Sequence, residues 1–89
     1  MWQADVYVTF KRGVLDPQGE TIRSSLIALG FDTVTDVRGG KLMTVKLGAS
    51  DEAEARAAVD EMCRRLLANT VIEEYRFELC AIAAEAAVR

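Results

Sequence analysis

The sequence predicts an α+β fold: a two-layer sandwich with a four-stranded antiparallel sheet and two helices on one face. Three observations carry this. The N-terminal segment alternates with period two. Two stretches of helical period each open on an acidic cap. A Gly-Gly pair separates two extended arms.

From Gln3 to Phe10, Ala4, Val6, Val8 and Phe10 share one face, and Gln3, Asp5, Tyr7 and Thr9 share the other. This is the pattern of a half-buried strand. After a loop over Lys11 to Leu15, Asp16 is placed as N-cap and Pro17 at the first helical position, where its missing N–H costs nothing. Ile22, Leu26 and Leu29 follow on one stripe, and Gly30 can close the helix in the left-handed conformation, which predicts a helix over Pro17 to Leu29. Val34 to Arg38 and Lys41 to Leu47 then flank Gly39-Gly40, which suits the positive φ angles of a two-residue hairpin turn. In the second arm Met43, Val45 and Leu47 share a face. The first arm is too mixed to assign, and a bulge near Thr35 fits it.

Ser50 or Asp51 caps a second helix whose stripe is Ala55, Val59, Met62, Cys63 and Leu66, ending near Asn69. Its charges fall in i, i+4 pairs with the acid first, Glu52-Arg56, Asp60-Arg64 and Glu61-Arg65, which is a solvated face and not a catalytic one. Tyr75, Phe77 and Leu79 alternate with Glu74, Arg76 and Glu78 as a last strand. Residues 81–89, mostly alanine, read as a tail that frays, coils or extends a helix. The order β-α-β-β-α-β is that of the ferredoxin-like fold, with both helices on the same sheet face. The face with Tyr7, Thr9, Leu42 and Thr44, and the edge of the last strand, are left for another chain.

The 89 residues, 51% hydrophobic and 28% charged, make a single domain spanning 1–89. A chain this short buries only about 60% of its unfolded surface, which favours association with other chains. Eleven basic residues against fourteen acidic ones give a net charge of -3, the wrong sign for a phosphate-binding surface, so nucleic acid is not expected as a partner. No membrane span or signal peptide is read, and the chain is expected in the cytoplasm. It has no histidine, which removes the commonest general base and zinc ligand. Cys63 and Cys80 lack metal-ligand or framework spacing and are expected to be two buried, reduced thiols.

Other candidate chemistry is thin. Gly13 and Gly19 bracket a loop before a helix, but no Lys-Ser or Lys-Thr follows, so this is a capped turn and not a phosphate loop. Glu73 and Glu74 are neighbours on a strand, where side chains point to opposite faces, and make a poor acid-base pair. Arg38 and Lys41 put positive charge at the hairpin tip. Asn69 suits a left-handed helix terminus. No catalytic, cofactor-binding or metal-ligating residue emerges.

The string Val14-Leu15-Asp16-Pro17-Gln18-Gly19, then Val37-Arg38 with Gly40-Lys41, Met62-Cys63, and Leu66-Leu67-Ala68-Asn69-Thr70-Val71-Ile72-Glu73 with Tyr75, resembles the PurS family. PurS is the small subunit of phosphoribosylformylglycinamidine synthase in purine biosynthesis. The matched blocks run from about Val6 to Leu79, and Cys80 to Arg89 matches no part of the pattern. The resemblance implies a non-catalytic subunit that works as a homodimer or higher homo-oligomer. It would join a PurQ-type glutaminase to a PurL-type synthetase and support ammonia transfer between them. ATP and Mg would be used by the synthetase partner, with no cofactor held by this chain. Asp16, Gln18, Arg38, Lys41, Asn69, Glu73 and Tyr75 are the matched polar positions expected to contact partners.

Three rivals share the topology. A regulatory module enclosing an amino-acid effector between paired subunits is allowed, because fold alone does not set function. An RNA-recognition module wants aromatics on both central strands and basic flanks, which this chain lacks. An acylphosphatase-like enzyme wants an arginine in the first loop with an asparagine nearby; Arg12 has no such neighbour.

Overall fold

Alternation at the N terminus becomes the central strand of the sheet. In the computed structural model, which describes residues 1–83, β1 spans Trp2–Phe10 and is followed by α1 (Pro17–Ala28), β2 (Gly40–Leu47), α2 (Glu52–Met62), a π-helical turn (Cys63–Leu67) and β3 (Glu73–Ala81). The sheet order is β2-β1-β3, and both neighbours run antiparallel to β1. The register runs from Trp2 opposite Leu47 to Thr9 opposite Gly40 on one side, and from Trp2 opposite Ala81 to Phe10 opposite Glu73 on the other.

The period-two pattern sets the core. Ala4, Val6 and Val8 are 0–1% exposed beneath Val59 and Cys63 of the second helix, with Met43, Val45, Leu47, Tyr75, Phe77 and Leu79 around them only half-buried. Full burial of a valine-sized side chain stabilises by about 1.5–3 kcal/mol, so this small cluster supplies much of the packing free energy. α2 begins as expected: Asp51 Oδ1 accepts the Glu54 N–H at 2.8 Å, and the Ser50 hydroxyl donates to Glu54 at 2.6 Å. All three i, i+4 ion pairs form on its outer face.

The end of that helix departs from the 3.6-residue stripe. The Ala68 N–H donates to the Cys63 carbonyl, five residues back, so the turn over Cys63–Leu67 is a π-turn that holds one extra residue. The rotation swings Leu66, expected in the core, out to 83% exposure and turns Leu67 and Ala68 inward instead. Asn69 follows in a turn with negative φ, not as the expected left-handed terminus; the only positive φ angles among the described residues belong to Gly13 and Gly30.

Gly30 does close α1. At φ 102° it donates to Ile27 while Phe31 donates to Leu26, the double return of a Schellman motif. The expected placement of the helix does not hold, however. α1 lies along no strand, Gly19 is its only buried residue, and Ile22, Ile27 and Leu29 are 40%, 38% and 74% exposed. The molecule is accordingly long, 50 × 28 × 19 Å, with a radius of gyration of 16.8 Å against about 12 Å for a compact domain of this length. Among the described residues, α2 and the π-turn that extends it cover the sheet without α1.

The expected Gly39-Gly40 hairpin is absent as well, and the described sheet has three strands instead of four. Residues 34–39 form no strand, and this stretch is tied to the neck at its end. The Gly39 N–H donates to Asp16, and the Arg38 guanidinium donates to the carbonyls of Lys11 and Val14 at 3.3 and 3.0 Å. The chain therefore returns from α1 alongside the loop by which it left, and β2 then pairs with β1. Cys80 is exposed on β3, contrary to the expected buried thiol, whereas Cys63 is buried. The tail expected over 81–89 starts inside β3 at Ala81, and residues 84–89 lie outside the described part. No helix among the described residues is long and apolar enough to cross a membrane.

Candidate functional site

Asp16 organises the neck between the sheet and α1. Its Oδ1 accepts the Gly19 N–H at 2.9 Å as a helix cap, and its Oδ2 accepts the Gly39 N–H at 2.6 Å across 23 residues of chain. With 4% exposure it is the one buried charged residue among those described. The Gly19 and then the Gly39 hydrogen bonds hold its carboxyl below the ordinary carboxylate range, against the opposing effect of burial. Gly19 has to be glycine here, because a Cβ would run into the Val37 carbonyl oxygen. Asp16, Gly19, Val37, Arg38 and Gly39 thus clamp the two chain passages together, and α1 projects from a rigid root.

Beside this neck lies a cleft of about 370 Å³ whose lining includes Val8, Phe10, Asp16, Gln18, Lys41 and Glu73. Four of the seven positions singled out in the sequence, Asp16, Gln18, Lys41 and Glu73, come together in it. Lys41 Nζ and Glu73 Oε2 sit 4.0 Å apart across the strands, and Glu73 also accepts the Asn69 N–H at 2.7 Å. Asn69 Oδ1 in turn accepts the Val71 N–H at 3.2 Å, so Asn69 shapes the turn into β3. Arg38 stands at the neck, bound to backbone carbonyls.

Tyr75 lies apart, under α2. Its hydroxyl donates to Asp60 Oδ1 at 2.6 Å, and Asp60 also pairs with Arg64 at 2.9 Å. That hydrogen bond, then burial, pushes the Tyr75 phenol above its ordinary value, while burial and then Asp60 do the same to the Cys63 thiol. Cys63 is 0% exposed, the setting of a structural thiol and not of a nucleophile. Sequence reading did not find Asp60 as the partner of Tyr75, since nothing local links a helix position to a strand fifteen residues on. It also missed Arg76, which lies 4.0 Å over the Tyr7 ring on the uncovered sheet face; the cross-strand register makes them direct neighbours. Among the described residues no group of three His, Cys, Asp or Glu side chains is placed to hold a metal ion. The geometry offers anchoring surfaces, with hydrogen-bonded roots and exposed tips.

Residues 3–81 match the family model described as PurS: phosphoribosylformylglycinamidine (FGAM) synthase. The chain belongs to the PurS family. Its relatives include the phosphoribosylformylglycinamidine synthase subunit PurS of Synechocystis, 51% identical over 77 residues, 86% of this chain and 77% of that one. The PurS subunit of Bacillus subtilis is 44% identical over 85 residues, 96% of this chain and 100% of its own length. In three dimensions the chain resembles B. subtilis PurS in its C2 crystal form, with a TM-score of 0.82 at 44% identity over 91% of this chain and 100% of that one. It also resembles a chain in the structure of PurLQS from Thermotoga maritima, with a TM-score of 0.79 at 30% identity over 90% and 99% of the two chains. The PurS match ends at the last residue of β3, so the family fold and the described elements coincide.

Proposed function

We propose that this chain is the PurS subunit of an FGAM synthase complex, a non-catalytic bridge between a PurL-type synthetase and a PurQ-type glutaminase. The observation that carries this reading is the likeness along almost the whole chain to one in PurLQS. A histidine-free domain whose polar side chains are committed to its own neck and turns suits such a role. ATP and Mg would be handled by the synthetase, and nascent ammonia would pass between the docked partners, where exclusion of water keeps it unprotonated. Gln18, Lys41 and Glu73 at the cleft, with Asp16, Arg38 and Asn69 holding the neck and turn beside it and Tyr75 apart under α2, are the proposed contact residues.

The subunit acts as a homodimer in this reading, and the detached helix supports it. α1 carries an unpartnered Ile22-Leu26-Leu29 stripe, and the half-buried Met43, Val45 and Leu47 line the part of the sheet beside α2. α1 from a second copy seated there completes the ferredoxin-like cover of two helices on one sheet face, with the rigid neck fixing the reach. Exchange of an element between identical chains makes a closed, self-complementary pair.

Reconstitution tests the bridge. With purified synthetase and glutaminase, glutamine-dependent turnover should require this chain, while turnover on free ammonia should persist without it. Undiminished glutamine-dependent turnover in its absence overturns the reading.

A further inference from the structure

The outer edge of β3 is paired with no strand among the described residues. The strand contains no proline and no lysine, matches β1 residue for residue through all nine positions without a bulge, and its four charges, Glu73, Glu74, Arg76 and Glu78, are of both signs, so a partner strand can pair with them instead of being repelled. We propose that β3 pairs antiparallel with β3 of a second copy about a two-fold axis through Phe77, joining two sheets into one of six strands. This interface rests on the reading that copies of the chain associate, and it is distinct from the helix exchange, which uses β2 on the opposite side of the sheet.

The register follows from the residues. Full overlap sets Glu73 against Ala81, Glu74 against Cys80, Tyr75 against Leu79 and Arg76 against Glu78, each pair occurring twice. Arg76 and Glu78 are 67% and 68% exposed and lie 3.8 Å apart within one strand, so each arginine meets a carboxylate on both chains. On the other face the half-buried Tyr75, Phe77 and Leu79 become a continuous apolar row across the axis. An odd number of residues puts the axis through Phe77 and perpendicular to the sheet, so helix-covered faces stay on one side. Centring on Arg76 instead opposes Glu74 to Glu78, like charge to like. β2 fails the same requirement: with eight residues, full overlap opposes Lys41 to Lys46 and helix-side Met43 to open-side Thr44.

Cysteine cross-linking reads this register directly. In Glu74→Cys the new thiol faces Cys80 of the second copy, whereas the two thiols within one strand are about 20 Å apart, six residues at strand spacing, and cannot bond. Two Cys80 thiols across the axis are separated by the same distance, about 20 Å. Diamide oxidation should therefore convert Glu74→Cys to a covalent dimer at least tenfold faster than wild type, Arg76→Cys or Glu78→Cys. Arg76→Glu added to Glu74→Cys should slow the reaction, and adding Glu78→Arg as well should restore it. Equal cross-linking at all positions, or none at position 74, overturns the proposal. A Leu26→Asp variant separates the two interfaces. If wild type is dimeric, Leu26→Asp is monomeric and Glu74→Cys stays uncross-linked, β3 pairing alone is wrong. If wild type is monomeric at every concentration, self-association itself is wrong and β3 pairing fails with it.

Discussion

Asp16 Oδ2 accepts the Gly39 backbone N–H at 2.6 Å, a contact that ties together two points 23 residues apart in the chain. It fastens the outgoing and returning passages of the α1 arm to each other. The segment 34–39 thereby loses the freedom to form a strand, and α1 is held away from its own sheet.

Asp16→Asn should destabilise the fold more than its small change in size suggests. An amide has one acceptor oxygen for two N–H donors, and its NH2 would face one of them. The pH dependence has a definite sign. The folded pKa of Asp16 is lowered from 3.8, so its contribution is present above about pH 4 and lost as pH falls through the folded pKa. Thermal melts from pH 2 to 6 should show a flatter acid limb for Asp16→Asn than for wild type. An unchanged limb would mean that the carboxylate is not the titrating group.

The π-turn makes a paired prediction at two apolar positions that the helical stripe treats alike. Val59 is fully buried and Leu66 is 83% exposed. Val59→Ala should cost about 2 kcal/mol in urea unfolding, by the usual cost of deleting core methyl groups. Leu66→Ala should stay within about 0.5 kcal/mol, as exposed substitutions do. Comparable losses at both would place Leu66 back in the core.

Tyr75→Phe removes the hydroxyl donated to Asp60 and leaves the ring in place. A loss of about 1 kcal/mol is expected, the usual net worth of one intramolecular hydrogen bond. The raised phenol pKa means that the Tyr75 contribution is intact below pH 10 and declines as pH rises through the folded value. Ultraviolet titration of wild type should therefore show one of its two tyrosines ionising late, and Tyr75→Phe should abolish that late step.

Helix α1 gives a prediction about assembly. Ile22→Asp with Leu26→Asp places two charges in the outward stripe without touching the core, since neither residue is buried. Sedimentation should then show a particle of half the wild-type mass, with α-helical content and the sheet melt nearly unchanged, because the β3 edge is untouched. A particle mass unchanged by both substitutions would remove α1 from the interface.

Local physics made much of this chain legible. The strand faces of β1 and β3, the caps at Asp16 and Asp51, the close at Gly30 and the i, i+4 ion pairs each depend on residues a few positions apart, and each is found as read. Asp16 was visible as a cap, but its second hydrogen bond was not, because Gly39 is remote in sequence. Gly39-Gly40 has hairpin composition, yet its N–H goes to a carboxylate, and tertiary competition overrides turn propensity. The apolar stripe of α1 reads in the sequence as a surface packed on the chain's own sheet, yet Ile22 and Leu29 are exposed, because periodicity says nothing about what lies against a helix. The π-turn hides for a related reason: one inserted residue redirects Leu66 and Leu67 with no change in their chemistry. What the sequence determined alone was three of the strands, the starts of both helices, the inward faces of β1 and β3 and the family pattern carried by short contiguous blocks. Only the tertiary structure decided the strand count, the detached helix and the cleft that gathers Asp16, Gln18, Lys41 and Glu73, because those depend on which distant groups compete for the same donors and the same apolar surface.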